Sequence, residues 1–307
     1  QGSYWVDLPD ISSSTASIQI QRGVGSSTNG AGAFGASINL NTLGSDGVKP
    51  FGEISNSFGS FNTIKNTVRF GTGLLNNNWT FEGRLSQLKS DGYIDRASSD
   101  LKSYYLSGGY VGDKTMLKAV VFSGHEKTYQ AWNGVPVRYL DSSDASLRTY
   151  NSYTYENEVD NYDQTHYQLH FVQRISKYSK FNMSLHYTRG LGYYEQFRVG
   201  DAFSAYGLEN IFTAAGDTIT NTDLIRRRWL DNHFYGTVFS YNYNKKALNL
   251  TLGGGANQYI GGHYGEVVWA QYASNGQIRH RYYDDVATKN DVNFYAKLDY
   301  KIGDKLN

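Results

Sequence analysis

The feature that most constrains this chain is a period-two alternation that recurs from Phe51 almost to the C-terminal end, with one face of each segment apolar. In a β-strand successive side chains point to opposite faces, so each such segment offers one oily face and one polar face. Ten segments read this way. In Thr63–Leu75, Ile64, Val68, Phe70 and Leu74 oppose Lys65, Thr67 and Arg69; next, Trp79, Phe81 and Leu85 oppose Thr80, Glu82 and Arg84. Tyr104, Leu106 and Tyr110 oppose Tyr105 and Ser107. Further on, Tyr167, Leu169 and Phe171 face away from His166, Gln168 and His170, and Phe181, Met183, Leu185 and Tyr187 from Asn182, Ser184, His186 and Thr188. Tyr235, Thr237, Phe239 and Tyr241 follow, then Leu248, Leu250 and Leu252, then Val292, Phe294, Ala296 and Leu298. Phe51–Gly59 is the least regular segment, and Thr115–Glu126 is ambiguous because Val120 and Phe122 share a face with Lys118.

None of the apolar faces so named carries a charge. A charge on the lipid side near mid-bilayer costs ~2–4 kcal/mol, whereas a barrel lumen tolerates it. The pattern therefore predicts an all-β chain, a transmembrane antiparallel β-barrel of about ten strands. A mean hydropathy of −0.54 does not argue against this, because alternating strands dilute the hydropathy signal. Connections alternate too. Asn76–Asn78, Gly112–Lys114, Lys177–Ser179 and Asn244–Lys246 are short, whereas Gly92–Asp100, Gln130–Asn161, Glu195–Asp223 and Gly262–Asn290 are long. Short turns at one rim and long loops at the other are the outer-membrane layout. The prolines, Pro9, Pro50 and Pro136, fall outside every predicted strand, as ladder hydrogen bonding requires. The absence of cysteine excludes disulfides and thiolate metal sites. A net charge of +1 removes bulk electrostatics as an argument for nucleic acid.

Ser17–Thr42 is different. Ile18 and Ile20 alternate with Gln19 and Gln21; Gly23, Gly25, Gly30, Gly32 and Gly35 then crowd together before Ala36, Ile38 and Leu40 resume the alternation. Gly30, Gly32 and Gly35 spell G-x-G-x-x-G, but a dinucleotide site needs a helix after that motif, and an alternating strand follows instead. The run closely resembles the end of the plug domain of TonB-dependent outer-membrane receptors. The resemblance rests on Arg22-Gly23, Gly25, Gly30-Ala31-Gly32 and Gly35-Ala36-Ser37-Ile38-Asn39-Leu40-Asn41-Thr42, and Asn39 belongs to that motif. It implies that residues 1–45 are the C-terminal part of a plug and residues 46–307 the first portion of a larger barrel. It also implies an importer of a scarce solute too large for porins, such as a ferric siderophore, haem, cobalamin, a glycan or a peptide, in the outer membrane of a Gram-negative bacterium. Energy would come from a TonB complex pulling on a TonB box, which the sequence does not contain. A surface lipoprotein is a further expected partner, and lipid the expected surroundings; no nucleic acid and no cofactor are expected. The resemblance also implies that Arg22 takes part in an ionic lock with the barrel wall, its partner being Glu82, Glu126 or a residue of the rest of the barrel. A passive porin or structural adhesin barrel explains the strands but not Ser17–Thr42. A soluble carbohydrate-binding β protein explains the aromatic loops but not the uncharged outward faces.

Nothing in the sequence has the pattern of an enzyme: there is no H-E-x-x-H and no nucleophile elbow. His166, His170 and His186 share lumen parity with Arg174, and read as a polar wall rather than a metal or haem contact, because lumen positions are expected to be polar. For substrate binding the expected residues are Trp132, Tyr139, Tyr193, Tyr194, Arg198 and Trp269, all assigned to or beside long loops. Their flat faces with polar tips suit a large solute, and guanidinium suits an anionic one. An interfacial aromatic belt is the competing reading for Tyr193 and Tyr194. Ten strands ~4.8 Å apart and tilted ~40° close to a backbone diameter of only ~20 Å, too narrow for a plug fragment ~24 Å across. The wall is therefore expected to be open.

Overall fold

The computed structural model describes residues 5–23, 35–42, 49–273, 277 and 279–302. Two short 3-10 turns, Trp5–Asp7 and Ile11–Ser14, lead into β1 (Thr15–Arg22), which pairs antiparallel with β2 (Ala36–Thr42) in a two-stranded sheet of its own. Gly23 closes β1 in the left-handed region (φ 72°), donating its N–H to Gly35 O at 2.9 Å. Gly25, Gly30 and Gly32 lie outside the described residues.

The remaining strands are β3 (Phe51–Gly59), β4 (Thr63–Gly71), β5 (Trp79–Ser90), β6 (Ser99–Val111), β7 (Thr115–Tyr129), β8 (Val159–Arg174), β9 (Ser179–Ala202), β10 (Ile211–Phe212), β11 (Thr218–Ile219), β12 (Asn221–Lys245), β13 (Leu248–Ala270) and β14 (His280–Tyr300). All but the small β10–β11 hairpin form one ten-stranded antiparallel sheet in the order β14-β13-β12-β9-β8-β7-β6-β5-β4-β3. Each wall strand pairs with its neighbour in sequence, the meander that hairpin connections dictate. Strands β3 and β14 are the edges and do not pair with each other, so the wall is an open arc, as expected. Among the described residues no helix is long and apolar enough to cross a membrane. The wall itself crosses with strands, as in a transmembrane β-barrel.

The register explains how the outer face is built. Leu106 of β6 faces Val121 of β7, which faces Tyr167 of β8, which faces Tyr187 of β9, which faces Tyr235 of β12. Phe70 lies across Gly83 of the next strand, its ring within 2.3 Å of where a Cβ would stand. Phe294 covers Gly254 in the same way, so ring and glycine share one slot of lipid-facing surface. The upper polar limit of this surface slants across the register. It runs through Asn66, Gln87 and Lys102 on β4–β6, one pair lower at Arg189 and His233, and lower again at Gln258 and Asn290. Such a slant is what tilted strands produce when a flat membrane cuts them. Along β12 the aromatic limits Tyr235 and Tyr243 are about 27 Å apart on the strand, hence about 20 Å along the normal, close to the height of an outer-membrane apolar band. At the lower rim Lys177 and Lys245 both lie over the ring of Tyr178, at 4.9 and 5.1 Å.

Strands β9, β12, β13 and β14 run to 24, 25, 23 and 21 residues, whereas about 9–11 cross the hydrocarbon. Two expected long loops are therefore largely strand. Tyr193, Tyr194, Phe197 and Arg198 lie on β9, and Trp269 on β13. The sequence reading ended these strands where apolar alternation stops. Above the membrane both faces are polar or aromatic, so pairing continues without that signal.

Candidate functional site

Asp10 identifies the inner face. Its left-handed backbone (φ 56°) turns the N-terminal segment against the wall. Its carboxylate accepts from Lys65 Nζ at 2.5 Å, Ser86 Oγ at 2.7 Å and Thr67 Oγ1 at 3.0 Å, and Arg84 Nη1 stands 3.3 Å away. Arg84 also donates to the Asp10 carbonyl. Burial alone raises the Asp10 pKa, but hydrogen bonds from Lys65, Ser13, Ser86 and Thr67 outweigh it and bring it to about 2. Next to this contact, Gly124 of β7 lets the segment come close: a Cβ there would stand 2.2 Å from the Asp7 carbonyl oxygen. The wall contact among the described residues is not one of Arg22 with Glu82 or Glu126. Arg22 is exposed and forms no ion pair among the described residues, and Asp10 makes the wall contact with the opposite sign. A cation-to-acid pattern at the end of β1 gave no hint of an acid-to-cation contact in the turn before it.

Deeper on the inner wall, a cavity of about 370 Å³ is lined by Tyr162, Gln164, His166, His186, Asn232 and Tyr259. Asn232 joins two phenols, donating to Tyr162 at 3.2 Å and accepting from Tyr259 at 2.7 Å. His166 stacks on Phe122 at 4.3 Å and contacts Thr188 and Gln164; His186 contacts Asn257 at 2.8 Å; His170 contacts Ser184 at 2.8 Å. All three histidines are thus spent on wall hydrogen bonds. Among the described residues no group of three or more His, Cys, Asp or Glu is arranged to hold a metal.

At the upper rim the inner face turns aromatic. The loop after β7 is fixed by Gln130, fully buried, whose amide donates to the carbonyls of Val159 and Glu195, both at 3.0 Å. Asn151 donates to Asp95 O and Gln130 O, and Arg96 clamps the carbonyls of Asn151 and Tyr153. Tyr155 donates to Glu195 at 2.9 Å, and burial, followed by that carboxylate, pushes its pKa up to about 12. Held this way, Trp132 meets Tyr194 edge-on at 5.3 Å and Tyr153 at 6.4 Å. The Arg228 guanidinium lies between Tyr194 and Tyr283, at 5.8 and 5.5 Å from their rings, and donates to Tyr283 Oη at 3.1 Å. Beside this group, Phe203, Tyr206, Leu208, Leu224 and Val267 form a buried core under the β9–β12 connection.

Of the expected binding residues, then, Trp132 and Tyr194 come together. The others go elsewhere. Tyr139 packs on Tyr150 and Arg138. Arg198 pairs with Asp201 at 3.1 Å. Tyr193 shares the outer face with Trp229, 4.6 Å away, and Arg227, 4.3 Å away. Trp269 alternates with Ala270, which packs on the core, and so faces outward. Tyr153 and Tyr283 are legible as long-loop aromatics but stand outside the expected binding set, and Arg228 has no signal in the sequence. Arg228 stands in the run Arg226-Arg227-Arg228, whose faces only the register separates: Arg226 and Arg228 go inward, Arg227 outward to Glu195 at 2.7 Å.

Fold and site together define an outer-membrane-type β-barrel wall with a polypeptide segment seated inside it and an aromatic, guanidinium-bearing rim. Comparison with solved structures places the fold more closely. The copper transporter OprC superposes with a TM-score of 0.64 at 12% identity over 92% of this chain and 38% of that one. The siderophore receptor PiuA from Acinetobacter baumannii gives 0.61 at 11% identity over 93% and 45%. The ferric citrate transporter FecA, unliganded, gives 0.60 at 15% identity over 92% and 40%. The chain thus has the fold of TonB-dependent receptors and spans about two fifths of the length of these structures. No protein-family model matches the sequence, and no curated protein does.

Proposed function

We propose that this chain is part of an outer-membrane active importer in which residues 1–45 belong to a plug and the wall guides a large, scarce solute inward. The observation that carries this reading is the seating of the Asp7–Asp10 turn on the inner wall, by Asp10 with Lys65 and Arg84 and by close approach at Gly124. A passive porin needs an unobstructed lumen, whereas a gated importer needs a segment held by contacts that can be broken. The ligand class we favour is an anionic metal chelate. The named neighbours are a copper transporter, a siderophore receptor and a ferric citrate transporter, and Trp132, Tyr194, Tyr283 and Arg228 suit a flat, partly anionic molecule. Coupling to a TonB complex, a surface lipoprotein partner and residence in a Gram-negative outer membrane belong to the same proposal. The test is uptake of iron-chelate and copper-chelate panels by cells carrying the full-length protein, with and without TonB and with a protonophore. Uptake that needs both TonB and the proton gradient supports the importer. Uptake indifferent to both supports the porin.

A further inference from the structure

The lipid-facing side holds a feature that transport does not use. On the outer face of β4–β8 a groove of about 480 Å³ opens at the upper polar limit of the apolar band. Its floor is Val68, Leu85 and Tyr104, and its rim includes Lys102, His125 and Asp163. Two of the nearby basic side chains already have acidic partners, His125 with Asp163 at 2.9 Å and Lys89 with Asp100 at 3.3 Å. Lys102, and Lys127 two residues further up β7, are exposed and form no ion pair among the described residues. An apolar slot thus ends, at headgroup height, beside two lysines whose one nearby acid, Asp100, is ion-paired to Lys89. Elsewhere on the outer face rings fill the space over glycines, as at Phe70 over Gly83 and Phe294 over Gly254.

We infer that this groove binds one phosphate-bearing anionic lipid of the adjoining leaflet, an acyl chain lying along Val68, Leu85 and Tyr104 and a phosphate meeting Lys102 and Lys127. Position selects a lipid over a soluble anion, because the floor faces hydrocarbon. Charge selects the phosphate, because Lys89, Lys102 and Lys127 together outnumber Asp100, the carboxylate they share, and Lys102 and Lys127 form no ion pair of their own among the described residues. The inference rests on the membrane placement of the wall and not on what the protein imports.

The test is native mass spectrometry of the full-length protein in detergent, with diphosphoryl lipid A or the same lipid stripped of its phosphates as probe. The wild type should retain one diphosphoryl lipid and hold the stripped form about thirtyfold less well, as expected for two lysines near a membrane surface. K102E/K127E should lose that preference, and S123W, which fills the hollow, should lose both lipids. Gel mobility without heating confirms that each variant is a folded barrel. Equal retention of both lipids, or retention unchanged in K102E/K127E, overturns the inference in favour of ordinary annular packing. Displacement by millimolar inorganic phosphate overturns it in favour of a soluble anion. Uptake assays on the same variants keep the two readings apart: lost lipid with intact uptake leaves the importer standing, and lost uptake in wild-type protein with bound lipid leaves the groove standing.

Discussion

Asp10 and Arg84 meet across the boundary between the N-terminal segment and the wall, Arg84 Nη1 3.3 Å from Asp10 Oδ2, with both side chains 3% exposed. Breaking a buried pair by removing one partner leaves the other charge uncompensated and typically costs about 3–5 kcal/mol. Asp10→Ala should therefore release the segment, and Arg84→Met should do so as well, with a double mutant less damaged than the sum. Hydrogen exchange over residues 5–15 measures it. Unchanged protection in both single mutants would show that the contact holds nothing.

The hydrogen bonds that Asp10 accepts from Lys65, Ser13, Ser86 and Thr67 set an acid limit. The folded pKa of Asp10, about 2, lies below its ordinary 3.8, so its contribution is full above pH 3.8 and is lost as pH falls through 2. The shift corresponds to roughly 2 kcal/mol. Below pH 4, segment protection should drop in the wild type and not in Asp10→Asn.

Gly124→Ala tests close approach rather than charge. The added methyl would stand 2.2 Å from the Asp7 carbonyl oxygen and 2.5 Å from Pro9 Cδ, so the segment must lift off β7. The expected cost is about 1–3 kcal/mol for overpacking. Protease nicking near residue 10 should rise while barrel assembly, read by heat-modifiable gel mobility, stays intact.

How much of this was legible beforehand follows from what each part is made of. The lipid-facing band was readable because bilayer and lumen impose opposite demands on alternate residues, as at Leu185 against His186. The strand extensions were not, since beyond Tyr187 the outward positions Arg189, Leu191 and Tyr193 no longer alternate by polarity. Trp132 was readable as a loop aromatic, but Arg228 was not, because three consecutive arginines carry no mark of which face each takes. The Asp10 contact spans 74 residues to Arg84, and no local pattern encodes a distance of that kind.

Glu158 should make the Trp132 loop pH-sensitive. Burial raises its pKa to about 7, against its backbone hydrogen bond at Tyr155 and the field of Arg198. The folded group therefore holds a proton that the unfolded chain has released between pH 4.5 and 7, so loop stability falls as pH rises through that window. The effect is at most about 3 kcal/mol. Protection factors over 130–158, which divide out the intrinsic rise of exchange with pH, should be larger at pH 5 than at pH 8, and Glu158→Gln should remove the difference. Equal protection factors at both values in the wild type would contradict the burial argument.

The inward and outward aromatic sets make opposite predictions for binding, and this comparison bears most directly on the site. Trp132, Tyr194 and Tyr283 surround Arg228 on the inner rim, whereas Tyr193 and Trp269 face outward. Removing a ring that stacks on a ligand, or the cation beside it, costs about 1–2 kcal/mol, close to tenfold in affinity. Trp132→Ala, Tyr194→Ala and Arg228→Ala in the full-length protein should each weaken binding of an imported chelate by about that factor. Arg228→Lys should recover part of the loss, since it keeps the charge but not the planar donor that reaches Tyr283 Oη. Tyr193→Ala and Trp269→Ala should bind as the wild type does, because their rings never face the lumen. Calorimetry on purified receptor reads all six variants. If the outward pair weakens binding as much as the inward group, the ligand is recognised on the outer surface of the strand extensions, and the inner rim is packing.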